Sequence, residues 1–139
     1  MALLVHKYGG SSVAGAEKIM SVAERVIKAK NAGNDVVVVV SAMGDSTDDL
    51  IELAHTVSND PEPREMDLLL STGELVSCTL LSMAIKSMGH EAVSLTGNQA
   101  GIVTDTMYGH ARISRVDSER IKQELLKGRV TVVAGFQGM

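Results

Sequence analysis

The chemistry-bearing residues nearest the amino terminus are His6-Lys7-Tyr8-Gly9-Gly10-Ser11-Ser12, directly after a short apolar run. Two adjacent glycines let backbone amides approach an oxyanion with no Cβ in the way, and the Ser11 and Ser12 hydroxyls add donors. Lys7 supplies a mobile positive charge. Between a strand and a helix such a loop suits a phosphate, because unpaired N–H groups at a helix start favour anions. The lysine precedes the glycines, whereas in a Walker loop it follows them, and neither that motif nor G-x-G-x-x-G is present. The same residues also fit a plainer reading, a strand-end lysine in water beside a glycine turn chosen for its dihedrals.

A second small-residue loop, Ser41-Ala42-Met43-Gly44-Asp45-Ser46-Thr47, follows the valine run at 36–40 and opens another helix. Two such loops on neighbouring strands would form one pocket. Ser71-Thr72-Gly73-Glu74 places an acid at an expected helix start, either facing a ligand or solvated and complementing the macrodipole. Gln99-Ala100-Gly101 and Gly135-Phe136-Gln137-Gly138 set polar atoms beside glycine, for a ligand or only for a turn. His6, His55, His90 and His110 lack the H-x-x-x-H and H-E-x-x-H spacings, so no metal ligand is assigned. Cys78, alone in an apolar helical pattern, reads as a small hydrophobe, and Asp48-Asp49 with Glu52 as a solvated helical face.

To position these loops the chain needs strands that end at them. The runs 3–5, 36–40 and 130–133, and a weaker one at 92–95, are apolar without polar alternation, which predicts strands covered on both faces. Segments of helical period separate them, the succession expected of a layered α/β fold with a mainly parallel sheet. Ile19, Val22, Ala23, Val26 and Ile27 share one stripe that stops at Gly33. The next helix starts at Ser46-Thr47-Asp48-Asp49 with the spacing of a capping box, and Leu50, Leu53, Ala54 and Val57 supply its buried face. Pro61 and Pro63 break it. A long helical region spans 65–88, with a kink or break expected at Ser71-Thr72-Gly73 and a second piece from Glu74. Asp117 fits as the N-cap of a helix over 118–127 with Ile121, Leu125 and Leu126 inward, and 96–113 reads as loop plus a short hairpin.

At 139 residues the chain is one domain or one lobe of something larger. With 45% hydrophobic and 22% charged residues it can bury a core and lies away from the disordered class. Three aromatics (Tyr8, Tyr108, Phe136), a formal charge of −4 and no basic run argue against nucleic acid. The apolar start is ended by His6-Lys7, far short of the roughly 18 residues of a membrane span, so no membrane and a cytoplasmic location are expected.

The ordered set Lys7-Tyr8-Gly9-Gly10-Ser11-Ser12-Val13, Ser41-Ala42-Met43-Gly44, Arg64-Glu65-Met66-Asp67-Leu68-Leu69-Leu70-Ser71-Thr72-Gly73-Glu74, Thr96-Gly97-Asn98-Gln99-Ala100-Gly101 and Gly135-Phe136-Gln137-Gly138 resembles the aspartate kinases of the amino acid kinase family. The resemblance covers essentially the whole chain and matches the amino-terminal part of their catalytic domain. It implies a three-layer α/β/α sandwich with a mainly parallel sheet, of which residues 1–139 form the substrate-side lobe, the nucleotide lobe and regulatory region having no counterpart here. It further implies that Lys7, Tyr8, Gly9, Gly10 and Ser11 bind the phosphates of ATP, with Lys7 catalytic, and that Ser41, Thr47 and Glu74 hold the substrate L-aspartate. Glu74 would face the ammonium group.

The implied reaction is attack of the aspartate side-chain carboxylate on the γ-phosphate of ATP with Mg2+, the entry step to lysine, threonine and methionine synthesis. Homo-oligomerisation or association with the missing lobe is expected, because a last strand apolar on both faces would expose an edge and a sheet face. The alternative is a non-catalytic module that binds an anion or pairs with another chain through that edge.

Overall fold

Valine builds the centre of the sheet. The computed structural model describes residues 2–109 and 112–135. Its strands β1 (Leu3–Tyr8), β2 (Asp35–Val40), β3 (Ala92–Leu95) and β6 (Val130–Ala134) form one parallel four-stranded sheet in the order β1-β2-β6-β3. Val36, Val38 and Val40 of β2 and Val130 and Val132 of β6 face one side, Val37 and Val133 the other. β-Branched side chains on both faces leave no wettable side, so both strands must be covered.

Helices supply the cover. α1 (Ala16–Asn31) and α3 (Pro63–Ser87) pack Ile19, Val22, Val26, Cys78, Leu81 and Ile85 on one face, while Ile121 and Leu125 of α4 (Glu119–Leu126) meet Val37, Leu95 and Val133 on the other. The result is the expected three-layer α/β/α arrangement. α2 (Ser46–Val57) lies on α3, and β4 (Ile102–Thr104) pairs antiparallel with β5 (Ile113–Val116) as the expected short hairpin.

Several expectations fail for identifiable reasons. α3 runs unbroken through Ser71-Thr72-Gly73. The Ser71 and Thr72 hydroxyls donate back to the Leu68 and Leu69 carbonyls at 2.7 and 2.6 Å, which keeps them inside the helical ladder. Gly73 is there for proximity, since a Cβ on it would stand 2.8 Å from the Cβ of Ala42. Glu74 is therefore a mid-helix residue, and the macrodipole reading is overturned.

No capping box opens α2, whose N-cap is Asp45 with no side-chain cap bond. Leu53 and Val57 are 57% and 81% exposed, and Leu126 is 88% exposed, so only part of each expected inward face is buried. The last strand in sequence lies between β2 and β3 and exposes no edge. The edges belong to β1 and β3; β1 alternates, with Leu3 and Val5 exposed and Leu4, His6 and Tyr8 half-buried.

Among the described residues α3 alone has the length and hydropathy of a membrane span. Its packing on the sheet through Cys78, Leu81 and Ile85 accounts for that composition.

Candidate functional site

Parallel pairing sends the carboxyl ends of all four strands to one edge, and three loops leaving that edge are stitched together. The Ser41 amide donates to the Tyr8 carbonyl (3.1 Å), the Gly44 amide to the Gly10 carbonyl (2.9 Å) and the Gly135 amide to the Val40 carbonyl (2.8 Å). Gly10 has no room for a side chain, because a Cβ would lie 2.9 Å from the Ala42 carbonyl oxygen and 3.2 Å from that of Gly44. A Cβ on Gly9 would meet nothing within 4 Å, so the backbone there is open to a ligand. One glycine seats the loops against each other and its neighbour stays bare.

Lys7 is exposed, paired in register with Val39, and in no ion pair among the described residues. Strand alternation puts it on the face of Leu3 and Val5, opposite Tyr8. The Tyr8 ring packs against the main core, with its hydroxyl 3.4 Å from His6 Nδ1, which leaves its backbone as what it offers the loop. α1 does not start at the glycines. A 3-10 turn (Gly10–Val13) and Gly15, at φ +103°, intervene before Ala16, so the nearest amides belong to that turn. Ser11 is exposed on it, and its carbonyl accepts from Lys18 Nζ at 2.9 Å.

Ser41 and Thr47 are half-buried, at the start of the second loop and in the first turn of α2. Glu74 is only 7% exposed and stands beside that loop, because Gly73 brings α3 into contact with Ala42. Burial pushes its carboxyl above the usual carboxylate range, an effect opposed by its own backbone amide and that of Ala42. One turn further, the buried Cys78 thiol is pushed up to about 12 by desolvation and by the Glu74 charge, so it stays an uncharged core residue.

The structure thus brings Gly9, Gly10, residues 41–44 and Glu74 together, with Lys7 two residues upstream of Gly9. It does not bring the Tyr8 side chain in. Gln99 and Thr96 cap each other, Thr96 N to Gln99 Oε1 at 3.0 Å and Gln99 N to Thr96 Oγ1 at 3.1 Å. A Cβ on Gly101 would collide with the Asp117 carbonyl oxygen at 1.7 Å, so that loop is turn chemistry. Phe136, Gln137, Gly138 and His110 lie outside the described residues. No group of three or more metal-ligating side chains occurs among the described residues.

Sequence reasoning missed the Ala42 amide, for which the signal was the small-residue run itself. It also missed Asp67, buried and accepting from the Gly109 amide at 2.8 Å, which ties the hairpin tip to α3.

A parallel sheet between helical layers, with interlocked glycine loops and a buried acid at its carboxyl edge, defines an α/β fold of the class whose ligand crevices lie at that edge. The chain belongs to the amino acid kinase family, whose family profile matches residues 2–139. It is 58% identical over its full length to the aspartokinase of Mycolicibacterium smegmatis and 54% identical to that of Bacillus sp. (strain MGA3). It spans about a third of the length of these relatives, 33% and 34%. The aspartate kinase of Synechocystis superposes with a TM-score of 0.81 at 49% identity, over 99% of this chain and 22% of that one. E. coli aspartokinase III, solved with aspartate and ADP, shares the fold at a TM-score of 0.82 and 20% identity, over 99% of this chain and 41% of that one.

Proposed function

We propose that this chain forms the substrate-side lobe of an ATP-dependent aspartate kinase, residues 1–139 carrying the phosphate loop and the amino-acid site while further chain supplies the nucleotide lobe. The observation that carries this is Glu74, a desolvated carboxylate with no cationic partner among the described residues, set against two interlocked glycine loops. The relatives, aspartokinases along the whole chain, support the same reading. A buried acid without a counter-ion is costly unless a ligand completes it. The ammonium group of aspartate is such a ligand, and Ser41 and Thr47 would hold the rest of the molecule.

The side-chain carboxylate of aspartate has an unperturbed pKa of about 3.9, so the nucleophile is ionised at neutral pH and needs no general base. What the chain must supply is position and charge. Lys7 and the open backbone at Gly9 would neutralise phosphoryl oxygens while the carboxylate oxygen attacks the γ-phosphorus in line and ADP departs with the bond electrons. At an effective dielectric near 20, one charge pair at about 4 Å contributes on the order of 4 kcal/mol before desolvation. The described residues form no carboxylate cluster, so Mg2+ would travel on the nucleotide's phosphate oxygens, where it lowers their negative charge.

ADP release with aspartate and MgATP tests this, run on this chain alone and with a polypeptide supplying the missing lobe. Activity only in the mixture is expected. In the intact enzyme Lys7→Ala lowers turnover roughly 100-fold or more; a loss under about threefold removes Lys7 from catalysis. The open β1 edge with exposed Leu3 and Val5 favours one second reading, a pairing module without catalysis. Inactivity in both arms of the assay would select it.

A further inference from the structure

Between the 3-10 turn and the first turns of α1 lies a cavity of about 410 Å3 lined by Ser11, Ser12, Lys18, Ser21, Val22 and Arg25. Three hydroxyls and two cations line it, and no carboxylate does. At about 100° per residue Lys18, Ser21, Val22 and Arg25 share one face of α1, and the nearest acids on the helix, Glu17 and Glu24, flank that face on the Ser21 side without lining the cavity. Lys18 is anchored at the lip by its 2.9 Å bond to the Ser11 carbonyl. Among the described residues neither Lys18 nor Arg25 takes part in an ion pair. In a chain of formal charge −4 this concave spot carries the opposite sign.

We infer that the cavity is a second anion site, one that takes a phosphoryl group as a small phosphate monoester or as free phosphate, on the α1 side of the glycine loop, with which it shares Ser11 and Ser12 but not Lys7. The guanidinium of Arg25 presents a planar fork suited to two phosphoryl oxygens, Lys18 adds a point charge, and the serine hydroxyls can donate to the remaining lone pairs. A mouth of this volume accommodates more than a bare phosphate, which favours the monoester. The inference does not rest on the kinase reading, since Lys18, Ser21 and Arg25 have no part in it.

The test is a titration of the full 139-residue chain, followed by amide NMR shifts, with glycerol 2-phosphate and with inorganic phosphate at ionic strength held constant with chloride. Saturable shifts at Ser12, Ser21 and Arg25 are expected. Arg25→Gln and, separately, Lys18→Gln should each weaken binding about fivefold or more, whereas Lys7→Ala should leave it within about twofold. Both positions lie on the surface, and unchanged peak dispersion verifies the fold. Shifts that do not saturate, that survive both α1 variants, or that vanish with Lys7→Ala overturn the inference. Tighter binding of the monoester names it as the ligand; equal binding names free phosphate.

Discussion

Two buried glutamates sit at opposite ends of the sheet's energetics. Glu124 of α4 is 2% exposed, with Arg120 Nε on one oxygen (3.0 Å) and Arg129 Nη1 on the other (2.7 Å), and hydrogen bonding from Arg129 holds its carboxyl below the usual range. Glu74 is nearly as buried, has only backbone amides for company among the described residues, and is held above that range by desolvation. The first is satisfied by the chain that carries it. The second is left without a counter-ion among the described residues, and under the proposed function the ammonium group of the substrate would supply it. Burial alone does not separate a structural carboxylate from a functional one; its partners do.

The sharpest way to break this contrast is Glu74→Gln. In the intact enzyme it should lower kcat/KM for aspartate roughly 100-fold, through loss of the ammonium partner. The same substitution should raise the melting temperature of this chain at pH 7 to 8, because it removes an unpaired buried charge. The sign follows from the raised folded pKa: Glu74's contribution is fully present below the ordinary carboxylate range and is lost as pH rises through the raised value. The thermal gain should therefore shrink toward pH 4. Activity and stability falling together would make Glu74 structural.

Glu124→Gln should act the other way, costing about 2 kcal/mol at neutral pH with activity per folded molecule unchanged. Its folded pKa is lowered, so its stabilisation is present above the ordinary carboxylate range and disappears as pH falls through the lowered value. Urea unfolding at two pH values measures both. A loss below about 0.5 kcal/mol would mean that the half-exposed guanidiniums are as well served by water.

The smallest effect tests whether burial without any partner is costly even for a neutral group. Thr131 of β6 is fully buried and its hydroxyl has no hydrogen-bond partner among the described residues. Thr131→Val should add about 1 kcal/mol, seen as a rise of a few degrees in melting temperature. A fall would point to a buried water on that oxygen.

The strands and layers were legible because the valine-rich runs at 36–40 and 130–133 allow few other solutions, and the glycine loops because their residues follow apolar runs closely. Strand order was not legible, since nothing local in Val130–Ala134 says that it inserts between β2 and β3. Gly73 misled for a physical reason: helix propensity scores it as a breaker, yet the structure needs it to let α3 touch Ala42. Leu53, Val57 and Leu126 show the limit of periodicity, which tells which residues share a face but not how much of that face a neighbour covers. The Glu124 pairing was hidden because its second arginine, Arg129, lies beyond the helix end.

β6 joins two strands that never touch each other, and of the four strands in this sheet it is the last in sequence. Until residues 130–134 leave the ribosome, β3 has no strand to bond and the sheet is only the β1–β2 pair. Completion of this sheet thereby waits on one long-range closure, the kind of step that slows folding and invites misassembly. Pulsed proteolysis of ribosome-bound chains of graded length should show β3 becoming protected only once that strand has emerged.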